Sequence, residues 1–240
     1  MIVLLKLFRF LGPTSLFFGT FVVLPPLFLS YFNNALDSQM LNIYLACMVY
    51  SLIILFTLRQ RKFSYTPKDG FVITFLTWVM ISLLASLPFQ NANMVFYDAL
   101  FEAVSGLTTT GSTVIKDLSL FPDHLLLYRQ LLQWAGGVGL VIVVLAIIPA
   151  VSGGMRVLQA ETSGFADKSF SPRLRETARS LLKFYILITA ACVLSYWAAG
   201  MTWFEAFSHS FSTVSIGGFS ICLLYTSPSP RDQRGAGVAG

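Results

Sequence analysis

The chain has 240 residues, of which 55% are hydrophobic and only 11% charged, with a formal net charge of +5. Soluble domains carry roughly 25% charged residues, and here the apolar residues gather in runs as long as a bilayer is thick, which excludes an ordinary soluble domain. The excess of basic residues lies in loops between those runs, where membrane topology rather than nucleic-acid binding accounts for it.

A membrane span needs about 20 mostly apolar residues. Five segments qualify: 2–24, 41–58, 71–87, 125–148 and 181–199. The first is too long for the apolar region of a secretion signal and has no small-residue cleavage site, so it reads as a retained span. Pro13 is expected to kink it and Pro25-Pro26 to end it. Cys47, Cys192 and Cys222 lie in or beside apolar segments with neither zinc-site nor disulfide-framework spacing, and read as small buried hydrophobes.

Between spans three and four comes a segment too short to cross a bilayer. The stretch 95–107 is expected to be a short helix, running into Thr108-Thr109-Thr110-Gly111-Ser112. A second such unit follows span five, with a short helix at 203–213 and then Ser215-Ile216-Gly217-Gly218. At an offset of 107, Tyr97-Asp98-Ala99 falls on Phe204-Glu205-Ala206, Ser105 on Ser212 and Gly111 on Gly218.

Charge gives the topology. Arg59, Arg61, Lys62 and Lys68 fill the connection after span two. Arg156, Lys168, Arg173, Arg175, Arg179 and Lys183 flank or fill the one between spans four and five, and Lys6 and Arg9 mark the N-terminus. The alternate connections, around 31–40 and 90–124, hold Lys116, with Arg129 just inside span four. The N-terminus and the 59–70 and 150–180 loops are therefore expected in the cytoplasm, and both short units on the opposite face, dipping in and returning.

Irregular backbone at membrane depth is tolerated only where it is buried or lines a watery cavity, and backbone carbonyls there can replace an ion's hydration shell. Each short helix points its C-terminal end, carrying about half a negative charge, towards its glycine run, which favours a cation. Gly111 and Gly218 allow positive φ, and the Thr108–Thr110 hydroxyls are placed to add ligands or to hold the loop. Oxygen ligation without a carboxylate cluster suits a monovalent cation.

The residues Phe101-Glu102-Ala103-Val104-Ser105-Gly106, Leu107-Thr108-Thr109-Thr110-Gly111, Tyr128-Arg129-Gln130-Leu131-Leu132-Gln133-Trp134, Gly136-Gly137-Val138-Gly139 and Ile216-Gly217-Gly218-Phe219-Ser220 resemble the Trk/Ktr/HKT superfamily of potassium transporters, in particular the TrkH/TrkG type of membrane subunit, over about residues 1–220. The resemblance implies an all-α membrane protein of helix–re-entrant pore loop–helix repeats, preceded by two extra transmembrane helices. It implies potassium uptake, a homodimer in the bacterial inner membrane, and a cytosolic nucleotide-binding regulatory subunit, with potassium as substrate and no cofactor. It assigns the filter to Thr108, Thr109, Thr110, Gly111, Ser215, Ile216, Gly217 and Gly218, with Thr109, Thr110, Ile216 and Gly217 as potassium ligands.

The expected organisation is a two-helix N-terminal unit (1–66), a first helix–pore-loop–helix repeat (67–152), a cytoplasmic loop (153–180) and the start of a second repeat (181–221). After Ser220 the chain departs from the pattern that the resemblance implies, and from Tyr225 the composition turns to Ser, Pro, Arg and Gly, which cannot build a packed core; against that pattern 222–240 is expected to be a non-native tail. Asp98 and Glu205 sit near helix starts, where a carboxylate meets the positive dipole end; attraction of cations at the outer mouth is the alternative. Arg129 is placed to snorkel or to pair with an acid. Gly136, Gly137 and Gly139 suit close helix packing or a hinge. His124 and His209 lack further ligands at metal spacing. An intramembrane enzyme built on Ser105 and His209 is disfavoured, because Ser105 has a repeat partner that explains it structurally. A secondary transporter for another cation or small solute is the alternative function, and it would show side-chain ligands at broken spans.

Overall fold

The computed structural model describes residues 2–33, 36–58, 67–115, 117–118, 121–151 and 170–221. Among them every regular element is a helix. These are α1 (Ile2–Phe17), a π-helical turn (Phe18–Val23), α2 (Leu24–Phe32), α3 (Ser38–Leu58), α4 (Pro67–Asn91), α5 (Phe96–Leu107), α6 (Asp123–Val151), α7 (Phe170–Ala198) and α8 (Trp203–Val214). Four stretches, Leu5–Phe32, Ser38–Thr57, Asp69–Asn91 and Glu176–Ala198, are long and apolar enough to cross a membrane. The fifth expected span falls within α6, whose 29 residues make a rod of about 43 Å at 1.5 Å per residue. Large apolar side chains such as Phe56, Phe75, Phe184 and Leu187 face outward, as suits helices surrounded by lipid.

Two boundaries differ from expectation. Pro25-Pro26 do not end the first span, which continues to Phe32. The prolines sit at the start of α2, after the π-helical turn. A proline in the first turn of a helix loses no intrahelical bond, because its missing N–H would be an orphan there. The helix of the last span begins at Phe170 and its membrane-long apolar stretch at Glu176, rather than at 181, so the end of the expected 153–180 loop is helical. The stretches 59–66, 152–169 and 222–240 lie outside the described residues, and with them most of the two basic loops and the tail.

The helix α6 is the hub of the bundle and packs on α2, α4, α5, α7 and α8. Its fit is made by small residues. A Cβ on Gly136 would lie 2.0 Å from the Leu107 carbonyl oxygen, and one on Gly137 would lie 2.6 Å from the Tyr185 hydroxyl. Both glycines therefore serve close packing. Gly139 differs, since a Cβ there would make ordinary contact with Trp78 at 3.6 Å. The core around this seam includes Val22, Val23, Met40, Phe89, Ala99, Ala103, Tyr128 and Leu132.

The first two spans are tied to the rest at both ends. Lys6 pairs with Asp69 at 2.8 Å. At the other end buried Asp37 caps α3, accepting from the Gln39 and Met40 amides at 2.9 and 3.1 Å. The same carboxylate accepts from the Asn91 side chain at 2.9 Å and faces His124 Nε2 at 3.4 Å.

Candidate functional site

The two short helices are the same object built twice. Each has 12 residues and follows an extended N-cap residue, Val95 at φ −63° and Thr202 at φ −63°. At the start, Ala99 donates to the Val95 carbonyl and Ala206 to that of Thr202, both at 2.9 Å. At the end, Thr109 donates to Gly106 at 3.0 Å and Thr110 to Ser105 at 2.9 Å. The second copy repeats this with Ile216 to Thr213 at 3.0 Å and Gly217 to Ser212 at 2.8 Å. Every pair is related by the offset of 107 read from the sequence. The bonds form the paired closure of a Schellman motif, which puts its closing residue in the left-handed region.

That residue is normally glycine. Here it is Thr109 at φ 55° and Ile216 at φ 56°, with Gly111 at 76° and Gly218 at 80° two positions later. A β-branched residue at positive φ is a steric outlier, and the left-handed conformation costs it about 1–2 kcal/mol. Such strain persists only where the surroundings hold it. Hydroxyls do part of that holding. Thr108 Oγ1 donates to the Val104 carbonyl at 2.7 Å and meets Thr110 Oγ1 at 2.8 Å, and Ser215 Oγ donates to Phe211 at 2.9 Å. Ser105 Oγ donates to the Ser112 carbonyl at 2.6 Å, which gives that serine a structural role.

The two glycine runs touch. A Cβ on Gly111 would lie 2.0 Å from the Gly217 carbonyl oxygen, so the approach is possible only without a side chain. Thr108, Thr110, Ile216 and Gly218 are exposed, Thr109, Gly111 and Ser215 half-buried, and Gly217 buried. Ile216, at 89% exposure, is strained without being packed. The Gly217 carbonyl accepts from Gln133 Nε2 at 2.7 Å, leaving one lone pair for another partner.

Behind the runs lies a buried ionic network. Arg129 and Glu102 are 1% and 0% exposed and joined at 2.6 Å. Arg129 therefore pairs with an acid and does not snorkel. Glu102 also accepts from Thr113 Oγ1 at 2.9 Å and from the Val114 amide at 3.3 Å. Arg129 reaches the second unit as well, donating to the Ser220 carbonyl at 3.2 Å and lying 4.1 Å above the Phe219 ring. A buried charge requires such partners, and these come from both units. Asp98 lies exposed in the first turn of α5, which has no side-chain cap. Glu205 forms a capping box with Thr202, and hydrogen bonds from the Thr202 backbone and hydroxyl hold its carboxyl below the ordinary range. His209 packs edge-on to Tyr196 at 6.3 Å. Among the described residues no group of three or more His, Cys, Asp and Glu is placed to hold a metal ion.

Comparison with known proteins gives one direction. A family model described as TrkH, cation transport protein, matches residues 37–223. The protein named Trk system potassium uptake protein TrkH from Vibrio parahaemolyticus is 38% identical over 220 residues, 90% of this chain and 45% of its own length. Its counterpart from Salmonella typhimurium is 37% identical over 217 residues, 88% of this chain and 45% of its own. TrkG from Escherichia coli is 41% identical over 170 residues, 69% of this chain and 35% of its own. The crystal structure of the potassium transporter TrkH from Vibrio parahaemolyticus matches with a TM-score of 0.74 at 35% identity, covering 91% of this chain and 44% of that one. The chain thus spans less than half the length of these relatives. With its four long apolar helices, it is a multi-pass membrane protein.

Proposed function

Because this chain belongs to the TrkH family of cation transport proteins, we propose that it forms part of a pathway for potassium uptake across the bacterial inner membrane. In this reading α4, α5 and α6 make one helix–re-entrant loop–helix repeat, α7 and α8 begin a second, and α1 to α3 are the two extra spans. Residues 67–152 are the first repeat and 181–221 the start of the second, with 1–66 the N-terminal unit, 153–180 the cytoplasmic connection and 222–240 a non-native tail.

The observation that carries the reading is the duplicated left-handed turn, with Thr109 and Gly111 matched to Ile216 and Gly218. Two equivalent runs, side by side and meeting through backbone atoms, offer backbone carbonyls of the kind that can line a cation path. Thr108 to Gly111 and Ser215 to Gly218 supply the oxygens, with Thr109, Thr110, Ile216 and Gly217 as principal potassium ligands. The dipole ends of α5 and α8 reinforce them. Potassium is the substrate, and the role is transport rather than catalysis. A homodimer in the inner membrane, lipid around the outer helices and a cytosolic nucleotide-binding regulatory subunit complete the proposal, on the strength of the family alone.

The test is a chimaera in which residues 1–221 replace the matched part of the Vibrio parahaemolyticus protein. In cells without their own uptake systems it should restore growth at low potassium. A well-inserted chimaera that carries another solute but no potassium would overturn the reading in favour of a different transporter.

A further inference from the structure

We propose that Gln133, on α6, is the residue that positions the second carbonyl run and so helps to set ion preference; this rests on the transport reading above. Its side chain is fully buried and its amide straddles the run. Nε2 donates to the Gly217 carbonyl at 2.7 Å, and Oε1 accepts from the Phe219 amide at 3.2 Å. Between the two gripped residues lies Gly218 at φ 80°. A peptide segment held at both ends by one planar group cannot rotate freely at the residue between them. The amide therefore fixes the orientation of the peptide planes on either side of Gly218.

Two further facts fit a positioning role. Gly217 is not at positive φ, so its backbone does not itself demand glycine. A Cβ there would lie 2.3 Å from the Gln133 amide carbon, so glycine makes room for the clamp. The grip also runs from one repeat to the other. Gln133 belongs to the helix that closes the first unit, yet it holds the run of the second. Arg129 does the same one turn earlier, through the Ser220 carbonyl and the Phe219 ring. The equivalent groups of the first run, the Thr110 carbonyl and the Ser112 amide, have no such amide among the described residues, so the two runs are held differently. A side chain that holds one ligand carbonyl by a hydrogen bond and fixes its direction affects which ion fits best, not whether the helices assemble.

Two variants separate the possibilities. Gln133→Met keeps the length and loses both bonds. Gln133→Glu keeps an acceptor for the Phe219 amide and, when ionised, loses the donor to Gly217. The first measurement needs no transport: hydrogen exchange at Phe219 in the purified 240-residue chain. It should quicken about tenfold in Gln133→Met and stay near wild type in Gln133→Glu; no change in Gln133→Met overturns the clamp.

The second measurement is competition of sodium against potassium uptake in the chimaera. Potassium preference should fall about tenfold in Gln133→Met, the loss expected for a buried carbonyl deprived of its donor, with a smaller fall in Gln133→Glu. If Gln133→Met does not fold, the Glu variant carries this arm. Unaltered preference, with only lower abundance or maximal rate, means packing alone and overturns the role of Gln133 while leaving the transport reading intact. A chimaera that carries no potassium before any substitution overturns the transport reading, and the selectivity role with it, even if the exchange result stands.

Discussion

At Gly111 two separate constraints coincide, whereas Gly218 has only one. A Cβ at Gly111 would collide with the Gly217 oxygen at 2.0 Å and would also sit at φ 76°, while one at Gly218 meets nothing within 4 Å. Gly218→Ala should therefore cost only the left-handed strain of about 1–2 kcal/mol. Gly111→Ala should displace the neighbouring run and abolish potassium preference in the chimaera without preventing insertion. Uptake selectivity of the two variants, set beside their abundance in the membrane, checks the order; equal effects would remove the special contact at Gly111. The ion pair gives a second prediction. Arg129→Met leaves the Glu102 carboxylate buried without its cation and should destabilise by about 3–5 kcal/mol, whereas removing both charges should cost less. A double-mutant cycle of thermal unfolding in detergent measures the difference. The glycines were legible in the sequence because a repeat exposes them. Gln133 was not: a glutamine one turn after an arginine in an apolar helix is visible as an oddity, but its partners lie more than 80 residues away. The strain at Thr109 and Ile216 was also hidden, because both are poor candidates for positive φ by type.

Among the elements, apolar run length located the helices well, and the short ones most closely, since an extended residue before each and a left-handed residue after it set sharp limits. Two boundaries differ from expectation because neighbouring residues override local chemistry. Pro25-Pro26 look like a terminator, yet a π-helical turn ahead of them lets the helix resume. The basic stretch before span five looks like loop, yet from Phe170 it is helix. The charge asymmetry of the connections still makes a testable statement. Single cysteines introduced at 59–70 and at 150–180 should react with impermeant reagents only from the cytoplasmic side. Labelling from outside at either place would overturn the topology and the re-entrant reading with it.

At the scale of the whole molecule, the resemblance to the Trk/Ktr/HKT superfamily implies four such repeats around one pore, and the two described runs would supply half of that ring. Removing a cation from water into a low-dielectric interior costs on the order of 20 kcal/mol in the idealised limit, so the ligand shell has to be nearly complete. The 240-residue chain expressed alone should therefore fail to rescue growth at low potassium where the chimaera succeeds. Rescue by the chain alone would mean that the ring is completed in another way. The number of repeats comes from the resemblance and not from any local pattern, which is why the residues of one unit are legible in the sequence and the assembly is not.

The contact between the runs also has a temporal side. The first run is fastened by its own unit, through Ser105 to Ser112 and Glu102 to Thr113. The second is fastened largely by residues made much earlier, through Gln133 to Gly217 and Phe219 and through Arg129 to Ser220. A chain is synthesised from its N-terminus, and earlier parts fold first. The residues that meet the second run, Gly111 and Gln133, are thus synthesised before it. Order of synthesis and direction of support therefore coincide: the residue that grips the second run precedes it in the chain by more than 80 residues.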